Sequence, residues 1–335
     1  MTAVAWARKS LFDGPFNTAL TFLSLGLLTW AVPRLVRWTL GARWEVVAAN
    51  LRLFAVGTYP ADQLWRVGLE LAALAALILA SLWAWRGNHP LGRRVLVALW
   101  VLSVPGTVLV LRGVGDGALP MVRTTQWGGL LLTLVLAAGG IVLSFPFGVL
   151  LALGRQSRLP VVSGVCTLFI EVVRGVPLIT VLFMAQVMVP VFLPDFRIDK
   201  VVRALMGITV FTAAYLAEDI RGGLQSIPRG QYEAAAALGL SGPQAVALVI
   251  LPQALRAVIP AIVGQFISLF KDTSLVAVIG LQDLLGIARS VIANPRWLGL
   301  QPEVYVFAAG VYALFCSVLS RASQRLERRL GVGER

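Results

Sequence analysis

Long apolar runs constrain this chain more than any other feature. Several approach or exceed about 18 residues, the length that marks a helix able to cross a bilayer. Of 335 residues, 58% are hydrophobic and 13% are charged. A typical soluble domain carries roughly 25% charged residues, and a water-soluble particle of this size needs more polar surface than this sequence supplies. The fold class is therefore an all-α polytopic membrane protein.

Eight spans can be placed. They are Phe16–Val36, Leu64–Trp85, Val95–Leu111, Trp127–Leu153, Leu178–Leu193, Val202–Ala217, Val258–Phe270 and Val304–Leu319. A further apolar stretch, Val161–Val173, falls short of a full span. Arg37 to Asp62 holds Arg37, Arg43 and Arg52 with Trp44 and Tyr59, and reads as a partly structured external loop. Short basic loops set orientation. Arg86 to Arg94, Arg155 with Arg158, and the tail after Leu319 place both termini in the cytoplasm, although the arginines from Arg34 to Arg52 run against the rule. Three segments follow: extra spans and loops over 1–126, a core over 127–321, and a basic cytoplasmic tail over 322–335. Gly139, Gly140 and Pro146 predict a bent, closely packed fourth span, because small residues let membrane helices approach.

The net charge is +13. Its bases sit mostly in short loops, the pattern of orientation signals and contact with anionic membrane lipids, and not of nucleic-acid binding. Cys166 and Cys316 lie in apolar sequence and predict neither a disulfide framework nor a metal site. His89, beside Pro90, reads as a loop residue. The sequence has no nucleophile with a paired histidine, no HExxH, and no GxxxxGK followed by Ser or Thr. It offers no catalytic residues, no metal ligands and no means of hydrolysing ATP itself.

One polar hinge interrupts the oily sequence, between 222 and 256. It reads as two short helical pieces with a break between them. Pro228 suits a first helical turn, and Glu233 falls in or near that turn, where backbone N–H groups favour a carboxylate. Ala234 to Leu238 is strong helix-forming sequence. Gly239 breaks it, Ser241 with Pro243 restarts it, and the second piece stops near Pro252. Such an element serves either as a docking peg for a soluble partner or as a surface helix that covers the bundle.

Two charged pairs stand out beside apolar runs. Glu171 and Arg174, three apart, share a helix face just before the break at Gly175 and Pro177. Lys271 and Asp272 end the seventh span. Each pair reads either as a gate or subunit contact or as structural support.

The hinge also resembles a known family. EAAAALG (Glu233–Gly239), followed by VILP (Val249–Pro252), is similar to the EAA loop of ABC importer permeases, with Val249 where isoleucine is frequent. RGGLQSIPRGQYEAA (Arg221–Ala235), FKDTSL (Phe270–Leu275), EVVRGVPL (Glu171–Leu178) and LERRLG (Leu326–Gly331) narrow the resemblance to the polar amino-acid uptake family. That family includes histidine, glutamine and general L-amino-acid permeases. These motifs span about Trp127 to Gly331. NLRLFAVGTYP (Asn50–Pro60) resembles the larger permease subunit of general L-amino-acid and glutamate/aspartate systems. The resemblance implies a type I transmembrane domain with extra N-terminal spans in a bacterial inner membrane. It implies a periplasmic amino-acid-binding protein, a second permease subunit that is either another copy or a related chain, and two ATPase subunits that use ATP, with no cofactor on this chain. It places Glu233, Ala234, Ala235, Gly239 and Pro252 in the coupling segment that meets the ATPase. It assigns no substrate-binding residues.

Overall fold

The computed structural model describes residues 10–331 except 87–89, 116, 118, 193, 196 and 197. Arg8, Lys9, His89 and Leu193 lie outside the described residues, as do Phe196 and Arg197 of the turn before Lys200. The described elements are helical. Bilayer hydrocarbon offers no partner for a free backbone N–H or C=O, so an apolar chain must satisfy these groups within its own helices.

The chain divides into two compact units, Met1–Ala49 and Asn50–Arg335. The first holds helix α1 (Pro15–Gly41), which has no buried residue of its own. Helix α2 (Glu45–Val56) runs into the second unit. These two helices replace most of the loop expected between Arg37 and Asp62. That stretch carries bulky apolar residues between its arginines, and those residues support helix.

The second unit continues with α3 (Leu64–Arg86), α4 (Pro90–Arg112), α5 (Gly129–Arg155), α6 (Pro160–Arg174), α7 (Leu178–Phe183) and α8 (Val189–Phe192). Then come α9 (Lys200–Gln225), α10 (Arg229–Ala237), α11 (Gly242–Ala245), α12 (Leu251–Asp272), α13 (Leu284–Ile292) and α14 (Gln301–Leu330). Among the described residues, seven helices are long and apolar enough to cross a membrane. An eighth is formed if α6 and the α7–α8 stretch, bent by 105° at their junction, count as one. The bend falls at Gly175–Pro177, where the sequence breaks. Between α7 and α8 the turn widens over Met184–Met188.

Small residues decide how the core closes. On α5, a Cβ at Gly148 would lie 2.8 Å from Leu216 Cβ on α9, and one at Gly140 would lie 3.1 Å from Leu269 on α12. The α5 surface is cut away where its neighbours press against it, as expected when association depends on backbone approach. Leu132, Leu136, Ala204, Ile208 and Leu269 fill the resulting core. Leu216, Ile220, Leu224, Ile250 and Ala254 form a second cluster nearer the hinge.

The N-terminal part of this unit is tied to the end of the bundle away from the hinge. Tyr59 is fully buried and donates its hydroxyl to the Leu111 carbonyl at 2.8 Å. Burial pushes its phenol above the usual range, against the opposing pull of Arg66. Arg52 donates to the Tyr59 carbonyl at 2.9 Å, and buried Arg66 donates to the Pro120 carbonyl at 2.9 Å. Arg52, one of the arginines that oppose the orientation rule, is thus engaged in a structural hydrogen bond.

Candidate functional site: the hinge and its ionic collar

Helix α9 ends at Gln225, and the Ser226 N–H closes it onto the Gly222 carbonyl at 3.1 Å. Pro228 precedes α10 with φ −59° and ψ 143°, the extended geometry of a cap. It therefore stands just outside the first turn and not within it. Glu233 consequently lies in the second turn of α10, and the first turn holds no acid. The helix starts one residue later than the proline suggests, because proline suits the cap as well as the first helical position, and Glu233 sits just beyond the first turn.

The far end of α10 is closed by hydrogen bonds as well as by composition. The Gly239 N–H reaches the Ala236 carbonyl at 2.9 Å, and the Leu240 N–H reaches the Ala235 carbonyl at 3.1 Å. This double closure is a Schellman cap, and it needs a left-handed residue at the turn. Gly239 supplies it with φ +77°. The chain restarts at Ser241, whose N–H and hydroxyl both donate to Gln244 Oε1, at 2.9 and 2.8 Å.

The second piece does not stop at Pro252. From Gly242 the helix passes through a wide turn over Val246–Ile250 and continues as α12 to Asp272. Proline lacks an N–H and crowds the carbonyl one turn back. A widened turn just before it relieves that clash without ending the helix.

From Pro228 to Gly239 every residue is exposed except Ala235, which is 2% exposed. Glu233 and Ala234 project outward, and Leu238 is 81% exposed. Ala235 faces its own chain. Gln253 on α12 donates to Gln231 Oε1 on α10 at 3.1 Å and to the Val249 carbonyl at 2.8 Å. Pro252 is exposed beside it. Sequence reading missed the Gln231–Gln253 link, since two exposed glutamines 22 residues apart leave no local pattern. The hinge is thus a short, fixed peg with one outward face and little internal core.

A collar of charges stands beside the root of the peg. Glu218 on α9 accepts from Arg155 at 3.0 Å, lies 3.7 Å from Arg174, and pairs with Arg221. Arg155 also donates to Glu171 at 2.8 Å. Glu171 and Arg174 do share a face of α6, but each pairs elsewhere, one with α5 and the other with α9. Arg174 also lies over the Tyr215 ring at 5.4 Å. The collar fastens α5, α6 and α9 together at the level where α9 turns into the peg. Glu218 is its centre, and no local pattern in the sequence marks that role.

Lys271 and Asp272 stand elsewhere. They end α12 near the opposite side of the bundle, where the chain continues as a tight turn over Thr273–Ala277. The helix tightens here but its backbone stays helical to Ile279. Phe270 is anchored against Tyr312 and Phe315 of α14, each with ring centroids 5.5 Å away. Beyond the turn, Asp283 caps α13 by accepting from Gly286 N–H at 2.9 Å, and accepts the Tyr312 hydroxyl at 3.0 Å.

These features define a class: a multi-span helical membrane subunit that presents an exposed two-piece peg at one end of its bundle. The comparisons with known proteins agree. Residues 144–332 match the family model described as "Binding-protein-dependent transport system inner membrane component". The inner membrane amino-acid ABC transporter permease protein YhdY of Escherichia coli is 44% identical over 99% of this chain and 94% of its own. The glutamate/glutamine/aspartate/asparagine transport system permease protein BztC of Rhodobacter capsulatus is 38% identical over 98% of this chain and 94% of its own. A crystal structure of an amino acid ABC transporter with histidines superposes with a TM-score of 0.54 at 30% identity, covering 60% of this chain and 92% of that one. The chain belongs to the ABC importer permeases of the polar amino-acid uptake family, a family of non-catalytic, multi-pass inner-membrane subunits.

Proposed function

We propose that this chain is the membrane-spanning half of an ATP-driven importer of polar L-amino acids, and that α10 is the element through which a separate ATPase drives it. The observation that carries the reading is the peg itself. It is a capped, two-piece helix with Glu233, Ala234 and Leu238 turned away from the bundle. The small alanines let a partner approach the helix closely, and the exposed leucine beside them offers that partner an apolar anchor.

In this reading two ATPase subunits each receive one peg in the cytoplasm. A second, related permease chain completes the pathway, and a periplasmic binding protein delivers the cargo. Both termini and the peg then face the cytoplasm. Closure of the ATPase pair on ATP draws the pegs together and tilts α9 and α12, which are joined directly to each peg. The pathway passes from inward-facing to outward-facing, and hydrolysis resets it. Nucleotide shifts this equilibrium only through its different affinity for the two states. The ionic collar makes α5 and α6 move with α9 as one body. Glu171 and Arg174 thereby act as structural support for the moving unit.

Reconstitution tests the reading. Vesicles that hold this chain, its sister permease and the ATPase pair should accumulate amino acid only with the binding protein outside and ATP inside. Uptake by the permease chains alone, driven by an ion gradient, would make the protein a secondary transporter instead.

A further inference from the structure

The hairpin of α3 and α4 lies outside the residues matched by the family model, and its open face carries a charge. Between the two helices runs a groove of about 270 Å³. Among the described residues, those of α3 and α4 alone line it, so it opens on the side of the hairpin that no other described helix covers. Hydrogen bonds close the hairpin at either end of the groove. At one end, buried Arg66 donates to the Val110 carbonyl at 3.4 Å and to the Pro120 carbonyl at 2.9 Å. At the other, the Trp100 indole donates to Ser81 Oγ at 3.0 Å. Between them the walls are mostly leucine, and Gly106 leaves room: a Cβ there would meet nothing within 4 Å.

Glu70 stands in this groove and is the one acidic residue of α3 and α4. Thr107 donates its hydroxyl to Glu70 Oε2 at 2.8 Å. Among the described residues nothing bonds Oε1, and no cation pairs with the carboxylate. Arg66, one turn away, is spent on its two carbonyls. A carboxylate on a membrane-spanning helix is costly unless it is paired or meets water. Depth decides which cation fits. Exposed Trp65 marks the level of the headgroups, and Glu70 lies five residues further along, about 8 Å deeper. Lipid ammonium groups stay at the headgroup level, and acyl chains carry no donor. A lysine or arginine on a neighbouring membrane helix does reach this depth, because its apolar stem lies comfortably in hydrocarbon.

We propose that the open face of α3 and α4 receives a membrane-spanning helix of a separate subunit, and that a lysine or arginine of that helix pairs with Glu70. Gly106 and Ala73 let the incoming backbone approach, and Leu77 and Leu99 seat its apolar side chains. The inference goes beyond the importer reading and does not depend on what drives transport.

The test places the full-length chain in vesicles with a probe of known chemistry. The probe is a synthetic spanning peptide of about 20 leucines and alanines, with one lysine about 8 Å from one end and a photoreactive leucine beside it. The same peptide with leucine in place of the lysine is the comparison. On the wild type, the lysine peptide should crosslink to α3 and α4 roughly fivefold more than the leucine peptide, the preference expected of one polar contact between membrane helices. Glu70→Gln should remove that preference, and Glu70→Asp should keep part of it. Moving the lysine to the midpoint of the peptide should also remove it. That arm leaves the protein unaltered, so a misfolded variant cannot mimic the result. Equal crosslinking of the lysine and leucine peptides to the wild type would overturn the proposal. So would a preference that survives in the Glu70→Gln chain. If instead the wild type retains phosphatidylethanolamine over phosphatidylcholine, Glu70→Gln loses that retention, and the lysine peptide shows no preference, the groove holds a lipid amine and the proposal is wrong. Uptake plays no part in these readouts, so their failure leaves the importer reading standing.

Discussion

Gly223 on α9 lies so close to α12 that a Cβ added there would meet the carbonyl oxygen of Ala254 at 2.7 Å. Val258 presses on the same point at 2.9 Å. The two helices that enter and leave the hinge are thus in backbone contact at its base. Motion of the peg reaches both at once.

Gly223→Val should therefore damage the bundle directly. Backbone cannot give way as a flexible side chain can, and overpacking of this kind costs about 1–3 kcal/mol. Thermal unfolding of the detergent-solubilised complex should show a lower midpoint. Gly222→Ala, at a neighbouring position where a Cβ meets nothing within 4 Å, should not.

The peg makes a contrasting prediction, because it is exposed and nearly coreless. Glu233→Lys should leave the membrane fold intact and reduce co-purification of the ATPase. Gly239→Asp puts a side chain at φ +77°, a conformation that costs most L-residues about 1–2 kcal/mol and aspartate somewhat less. That strain should loosen the cap and reduce co-purification in the same way. A Glu233→Lys complex that keeps its ATPase at wild-type stoichiometry and transports normally would remove Glu233 from the coupling surface.

Glu218 faces three arginines from α5, α6 and α9. Glu218→Gln keeps the shape and removes the charge, leaving Arg155, Arg174 and Arg221 to repel one another. The loss should be about 1–3 kcal/mol for a partly exposed set of charged hydrogen bonds. A double-mutant cycle with Arg155→Gln should return a coupling energy above about 0.5 kcal/mol. Strict additivity in that cycle would show that the collar does not bind α5 to α9.

Asp283 is a pH probe at the end of the bundle away from the peg. Burial pushes its carboxyl up to about 6, although the Gly286 and Leu285 N–H groups and the Tyr312 hydroxyl pull it down. Its folded value exceeds the unfolded one, so the folded state holds more protons between about pH 4 and pH 6. This contribution to stability is complete below the unfolded value and is lost as pH rises through the folded one. The wild type should gain about 1–3 kcal/mol on going from pH 7 to pH 4 relative to Asp283→Asn. Asparagine still caps α13, so the comparison isolates the charge. Melting curves of the two proteins at both pH values give the answer.

Much of this architecture could be read before the structure. The apolar runs locate the spans, because a bilayer fixes how long a buried helix must be. Pro228 and Gly239 bracket the peg because each has a backbone geometry that few other residues supply. What stayed hidden was nonlocal. Arg155 and Glu218 are 63 residues apart, and Gln231 and Gln253 are 22 apart; only packing brings them together. Pro252 was misleading for a different reason. It looks like a stop, yet the widened turn over Val246–Ile250 absorbs it, and such a turn carries no sequence signature. Helix α2 falls where the arginines and aromatics between Arg37 and Asp62 suggest a partly structured loop, whereas Arg52 bonds to the Tyr59 carbonyl.

The central claim is that the outward face of α10 grips a cytoplasmic ATPase, and a cysteine at Ala234 tests it most directly. Ala234 is exposed beside Glu233, so the substitution disturbs no core. In whole cells, Ala234→Cys should resist a thiol reagent that cannot cross the membrane. In inverted vesicles it should crosslink to the ATPase subunit, more strongly when ATP is bound. Labelling of that cysteine from outside the intact cell, with no crosslink to the ATPase in any nucleotide state, would contradict the account.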